Sequence, residues 1–170
     1  FAPLWWRTWR YAEIAVETKD RPLTLESLRA FETGYPFQQV GRFASDDPQL
    51  QRIFDVGWRT ARIDAHETYM DTAYWEQLQY AGDTRLQMLI SYLAEQAIDA
   101  YAASHVDGGL IESAWPTRGH NVIAPFALLW VGMLDDWRMR QRDPAPVVRN
   151  IGRMREILDW FEQYRGKGGL

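Results

Sequence analysis

Asp71, Glu76 and Asp83 set three carboxylates within the stretch Met70 to Asp83, which reads M-D-T-A-Y-W-E-Q-L-Q-Y-A-G-D. Seven residues make two helical turns, so Glu76 and Asp83 share a face if the segment is helical, with Asp71 round the side or on a loop. Carboxylates crowded together resist simultaneous ionisation, and apolar walls from Tyr74, Trp75 and Tyr80 add a desolvation penalty; both effects raise a carboxyl pKa. A glutamic acid kept protonated near neutral pH is the general acid that glycosidic bond cleavage requires. The same residues also suit a solvated acidic turn between two amphipathic helices, with no chemistry at all.

The spacing Asp-x4-Glu-x6-Asp, with Gly82 before the last Asp, resembles the acidic signature of bacterial α-L-rhamnosidases, glycoside hydrolase family 78, in their six-hairpin catalytic domain. The stretch S-D-D-P-Q-L-Q-R-I-F-D-V-G-W-R-T at 45 to 60 is similar to the helix that leads into that domain. P-F-A-L-L-W-V-G-M-L-D-D-W at 125 to 137 is similar to one of its inner helices. The resemblance covers 40 to 170 well, and 1 to 40 more weakly as the tail of the β-domain that precedes the barrel. Thr72, Ala73 and Trp75 stand where the family's Asp-Cys-Pro-x-Arg-Glu has Cys, Pro and Arg, so the carboxylates keep their places in a different frame.

The resemblance implies hydrolysis of a terminal α-L-rhamnosyl residue with inversion at the anomeric carbon. Glu76 then protonates the leaving oxygen, while Asp71 and Asp83 bind ring hydroxyls and stabilise the positive charge of the transition state. In the family the water-activating base is a carboxylate from a later hairpin, and no residue after 121 matches it, so this chain alone is expected to be inactive. Two alternatives stay open. One is a six-hairpin glycosidase acting on a different sugar, for which Trp75 in place of Arg is the pointer. The other is a carbohydrate-binding or scaffolding segment without chemistry.

Composition narrows the classes. The 170 residues suffice for one domain with a real core. Nine Trp and eight Tyr offer flat rings with polar handles, which suit sugar stacking as well as core packing. A net charge of -4 argues against a nucleic-acid partner, which needs a basic stripe to displace counterions. No run of about 18 apolar residues is present, so no membrane-spanning helix is expected. The absence of cysteine removes disulfides and thiolate chemistry but does not decide the compartment; cytoplasmic and secreted locations both stay open. No cofactor is implied. His66-Glu67 lacks the second histidine that a zinc-protease helix needs, since position 70 is Met, so no metal site is expected and His66 reads as a hydrogen-bonded wall residue.

The elements that must position these groups fall into two parts. Residues 9 to 19, 23 to 32 and 37 to 43 read as three strands, with Trp9 and Tyr11 turned inward, so that 1 to 44 form a β-layer, which the resemblance implies is the end of a β-domain. Ser45-Asp46-Asp47-Pro48 is a strong helix start, followed by Leu50, Ile53, Phe54, Trp58, Ala61 and Ile63 at helical spacing over 47 to 65. Asp83 is expected to cap a helix over 84 to 103, with Leu86, Leu89, Ile90, Leu93, Ala97 and Tyr101 on its buried stripe. Asp107-Gly108-Gly109 marks a turn. The long polar loop 111 to 121 offers Trp115 for stacking, Arg118 and His120 for hydroxyls, and Glu112 as a spare carboxylate. A helix over 122 to 141 is apolar nearly all round through Phe126, Leu129, Trp130 and Met133. A last helix over 144 to 164 presents Val147, Val148, Ile151, Met154, Ile157, Leu158 and Phe161, and these two should lie antiparallel.

These elements make the expected fold class mainly α, and the resemblance implies that they are a partial (α/α)6 six-hairpin toroid over 45 to 170, preceded by a few β-strands from the end of a β-sandwich domain. The binding residues expected around the carboxylates are Trp75, Tyr80, Trp115, Arg118 and His120, and the partner is a carbohydrate. A first residue that is Phe, and a terminal R-G-K-G-G-L, suggest an excerpt from a longer chain. An incomplete toroid leaves apolar faces open, which favours self-association.

Overall fold

Asp47 begins the helical part as its sequence demands. In the computed structural model, which describes residues 3–91 and 94–166, the Asp47 side chain accepts a hydrogen bond from the Gln49 amide, and Pro48 occupies the first position of α1 (Pro48–Ile63), where its missing N–H costs nothing. Four more helices follow: α2 (Ala81–Ser91), α3 (Glu95–Ala103), α4 (Ala124–Arg140) and α5 (Ala145–Glu162). The last two pack together across the connection 141–144.

α4 is the centre of the body. It packs against α2, α3 and α5, and α3 also packs on α5. Its buried face is Ala127, Trp130, Met133, Leu134 and Trp137, joined by Met88 of α2, Ile98 and Tyr101 of α3, and Ile157 of α5. Each large side chain withdrawn from water contributes roughly 1.5–3 kcal/mol, so these residues dominate what holds the helices together. The polar atoms carried into this core are matched. Trp130 Nε1 donates to the Ile98 carbonyl at 3.0 Å, and Tyr101 Oη donates to the Gln79 carbonyl at 2.6 Å. Burial pushes the Tyr101 hydroxyl pKa far up, so it stays a donor.

One glycine lets α2 and α4 approach. A Cβ at Gly132 would lie 2.5 Å from the Arg85 guanidinium, whose Nε donates to Asp136 at 2.8 Å. Asp136 also receives Arg140 at 3.1 Å, so one carboxylate ties two helices. On the other side Arg149 of α5 reaches Glu95 and Asp99 of α3, and holds the Asp99 carboxyl below its ordinary range.

The observed elements differ from the expected ones in three places. Among the described residues no strand forms between 3 and 44; Trp9, Tyr11, Leu25, Leu28 and Phe31 are exposed. A strand persists only where a neighbour takes its N–H and C=O groups, and alternation alone supplies no neighbour. The segment is instead tied to the helical part at a few points, with the Tyr35 amide donating to the Ala65 carbonyl at 2.8 Å and the Phe37 and Phe43 rings resting against Trp58 and Phe54.

The helix expected over 84 to 103 is two helices, α2 and α3; Leu93 lies outside the described residues. Leu86 and Ile90 are exposed, and the buried positions are Ala81, Thr84 and Met88, then Ala97, Ile98 and Tyr101. α2 starts at Ala81 because the Ala81 amide is held by the Ser113 carbonyl at 2.8 Å while Tyr80 pairs with Ala114. Asp83 consequently lies in the first turn, where the helix dipole favours its charge, and is not the cap. In α5, Val148, Ile151 and Leu158 are exposed, and the helix buries Pro146, Asn150 and Ile157. The turn at Gly108 and Gly109 forms, both with positive φ, against Glu156 and Trp160 of α5.

Candidate active site

Residues 71–79 are not helical, so Glu76 and Asp83 do not share a helix face. The segment is a closed loop. Its base is a double link: the Asp71 amide donates to the Leu78 carbonyl at 2.9 Å, and the Leu78 amide donates back to Asp71 Oδ1 at 2.9 Å. Inside it, Thr72 Oγ1 donates to the Trp75 carbonyl at 2.6 Å and Gln77 Nε2 to the Ala73 carbonyl at 2.9 Å. The price of so tight a loop is backbone strain, with Glu76 at φ 38° and Gln77 at φ 57°. Each left-handed non-glycine residue costs roughly 1–2 kcal/mol, so the surrounding bonds must over-determine the conformation.

The loop presents Glu76 at its exposed rim and Asp71 half-buried at its base. Tyr80 Oη donates to Glu76 Oε2 at 2.8 Å, and that bond, with burial and the nearby charges of Glu76 and Asp71, holds the tyrosine pKa above its ordinary value. Tyr80 is therefore a fixed donor to the glutamate. Tyr74 and Trp75 form an edge-on pair with ring centroids 4.8 Å apart, but they are 60% and 72% exposed. The two rings thus make an open platform beside Glu76, not the apolar enclosure expected from their sequence positions.

The second loop is brought to the first by long-range pairing. Tyr80 and Ala114 bridge, the Trp115 amide donates to the Gln79 carbonyl at 3.0 Å, and Gln79 Nε2 donates to the Trp115 carbonyl at 2.8 Å. Trp115 is half-buried against the core, while Arg118 and His120 are exposed. Glu112, a spare carboxylate by sequence, is buried and committed: Oε1 meets His120 Nδ1 at 2.6 Å and Oε2 accepts the Asn121 amide at 2.8 Å. It closes the loop. Asp83 sits at the start of α2, close enough to Tyr101 to raise that hydroxyl's pKa further.

Two groups escaped the sequence reading. Asp64, at the C-terminus of α1, is only 8% exposed, and burial together with the neighbouring Asp71 charge pushes its carboxyl pKa up to about 6. Its position follows from the turn that carries the chain from α1 back under the loop, where the Met70 amide donates to the Asp64 carbonyl at 2.8 Å. The other is Gln79, buried, whose Oε1 accepts the Tyr69 amide at 3.1 Å and whose remaining polar atoms join both loops to Tyr101. Nothing in its spacing distinguishes it from an ordinary polar residue.

His66 forms part of a wall, as expected. It lines a cavity of about 450 Å³ between residues 65–69, α3 and Pro116, and burial lowers its pKa against the opposing influence of Glu67 and a backbone bond to Ile63. Asp71, Glu76 and Asp83 do not line that cavity. No group of three or more His, Asp or Glu side chains able to hold a metal ion occurs among the described residues, and no helix among them is long and apolar enough to cross a membrane.

No family model and no curated protein matches the sequence. Among solved structures, the fold is similar to that of a glycoside hydrolase family 78 rhamnosidase of Bacillus sp. GL1, with a TM-score of 0.75 at 20% sequence identity. The likeness covers 81% of this chain and 15% of that protein. The mainly helical fold is thus that of a segment of a much longer protein, and this chain spans a small part of that protein's length.

Proposed function

We propose that this chain is part of the catalytic domain of a glycoside hydrolase, a six-hairpin enzyme that removes terminal α-L-rhamnosyl residues with inversion. Residues 45–170 are its opening hairpins, and 1–44 the segment that leads into them from a preceding β-domain. The observation that carries the reading is the closed loop 71–78, which lifts Glu76 to an exposed rim above Asp71, in a chain with the fold of a rhamnosidase segment.

In this mechanism Glu76 gives its proton to the glycosidic oxygen as the bond to the anomeric carbon breaks. Tyr80 holds the carboxyl in place through its hydrogen bond. Asp71 and Asp83 accept hydrogen bonds from ring hydroxyls and stabilise the oxocarbenium-like charge. Trp75, Tyr80, Trp115, Arg118 and His120 bind the sugar, the open ring of Trp75 by stacking. A sugar seated on Tyr74 and Trp75 excludes water from Glu76. The base that activates water stands roughly 6.5 to 9.5 Å away across the sugar in inverting enzymes, and it lies outside these residues, so the chain alone is inactive. Trp75 in the position of the usual Arg favours a second reading in which the enzyme acts on a different sugar.

The test is hydrolysis of a panel of nitrophenyl glycosides, α-L-rhamnoside included, by the protein extended through the remaining hairpins, beside its Glu76→Gln form. Rhamnoside cleavage that falls about 10²–10⁴-fold in the Gln form is expected. The loss should be greater on an alkyl rhamnoside than on the nitrophenyl one, because a poor leaving group depends more on protonation. Cleavage of another glycoside keeps the acid and moves the substrate. Sugar binding without hydrolysis of any substrate means that the loop is a binding surface and that the enzyme reading is wrong.

A further inference from the structure

We infer that Trp5, Trp6 and Thr8 form a strap that positions the general acid, a role that rests on the assignment of Glu76 above. The strap comes from a part of the chain some seventy residues away, and it meets the acidic loop at two points and the turn after α1 at a third. Trp5 Nε1 donates to Gln77 Oε1 at 2.9 Å, Thr8 Oγ1 donates to the Ala73 carbonyl at 2.8 Å, and the Trp6 ring lies flat on His66 with centroids 4.0 Å apart and planes 4° from parallel.

The first two contacts close a circuit. Gln77 Nε2 already donates to the Ala73 carbonyl at 2.9 Å, so the path runs from Trp5 through the Gln77 amide to Ala73 and back to Thr8. Glu76 is the residue before Gln77, and both hold left-handed backbone that an unbraced residue of either type leaves readily. The circuit fixes both ends of the Gln77 side chain and thereby the direction in which Glu76 leaves the loop. Trp6 registers the strap on the turn after α1, beside the loop's base. With a catalytic carboxyl, an error of about 1 Å in placement can cost as much as 10²-fold in rate, so a strap that acts on orientation acts on kcat.

None of the three strap residues touches the reacting atoms in this arrangement; they are positioning residues. Their contacts also explain why a segment that is otherwise exposed and without regular structure from 3 to 44 is held against the helical part at its beginning.

The experiment uses Trp5→Phe with Thr8→Val, which keeps ring and shape and deletes both donors, and Thr8→Ser, which keeps the hydroxyl. In the active protein that carries this segment, the double variant should lose about tenfold in kcat with KM within twofold, and the alkaline limb of its pH–rate profile, which reports the general acid, should move, while Thr8→Ser retains the parent values. In the 170-residue chain itself, exchange of the Asp71 and Leu78 amides, whose bonds close the loop, should speed about tenfold in the double variant, with the Trp130 indole N–H unchanged as a control for global folding. Unchanged kcat and unchanged exchange in the double variant, with Glu76→Gln still inactive, overturn the strap and leave the acid assigned. Full activity in Glu76→Gln overturns the assignment and the positioning role with it.

Discussion

α1 and α4 are nearly equal in length, 16 and 17 residues, and both carry apolar side chains at helical spacing, but their fates are opposite. α4 buries Trp130, Met133 and Leu134 completely among α2, α3 and α5. α1 buries no residue, and Leu50, Ile53 and Val56 face outward. Amphipathic periodicity states that a face needs covering; only the neighbouring elements decide whether it is covered. In a chain that spans 15% of the protein it resembles in fold, α1 has the pattern of a packed helix and the surroundings of a surface one.

The contrast is tested most severely by Trp130→Ala, which empties the centre of the body and removes the indole bond to the Ile98 carbonyl. A loss of about 3–5 kcal/mol is expected by urea unfolding. A loss below 1 kcal/mol means that α4 is not the core.

Asp64→Asn tests the seam between α1 and the loop. The carboxyl pKa is higher folded, about 6, than unfolded, near the ordinary 3.8, so the folded chain holds the proton more tightly. That advantage is complete below about pH 4 and is lost as pH rises through 6, leaving the folded chain to carry a buried charge. The Asn form should therefore be more stable than the parent by about 2 kcal/mol at pH 8 and little different at pH 4. Thermal unfolding at the two pH values checks this, and an equal effect at both would show that the charge is not what matters.

The smallest effect is expected from Ile53→Ala. Ile53 is 66% exposed, so the loss should stay within about 0.5 kcal/mol. A larger loss in the 170-residue chain, growing with protein concentration, would reveal α1 as the face through which copies associate.

What the sequence disclosed followed the range of the forces involved. The start of α1 was legible because Asp47 caps it and Pro48 allows it, both within a few residues. The start of α2 was not, because residues 113 and 114, thirty positions on, hold Tyr80 and Ala81. Residues 9–19 alternate well and still form no strand, since alternation carries no information about a pairing partner. Leu86 and Ile90 fit the helical period of α2 as well as Met88 does, and only packing separates the covered stripe from the open one. In the candidate site, Asp71 and Glu76 were legible because one short loop holds both. Asp64 reaches Asp71 through a turn, and the strap reaches Gln77 across the whole of α1, so neither left a mark on local spacing.

The distribution of the nine tryptophans gives the molecule its own optical reporters. Trp130 and Trp137 are sealed in the helical body with their indole N–H groups bonded to carbonyls, whereas Trp5, Trp9 and Trp75 stand in water on the strap, the arm and the loop. Emission from the first set should be blue and shielded from acrylamide, and that from the second red and quenched. On the proposed function, a sugar on Trp75 should change the red component and spare the blue, so one unlabelled sample would separate an event at the acidic loop from unfolding of the helices behind it.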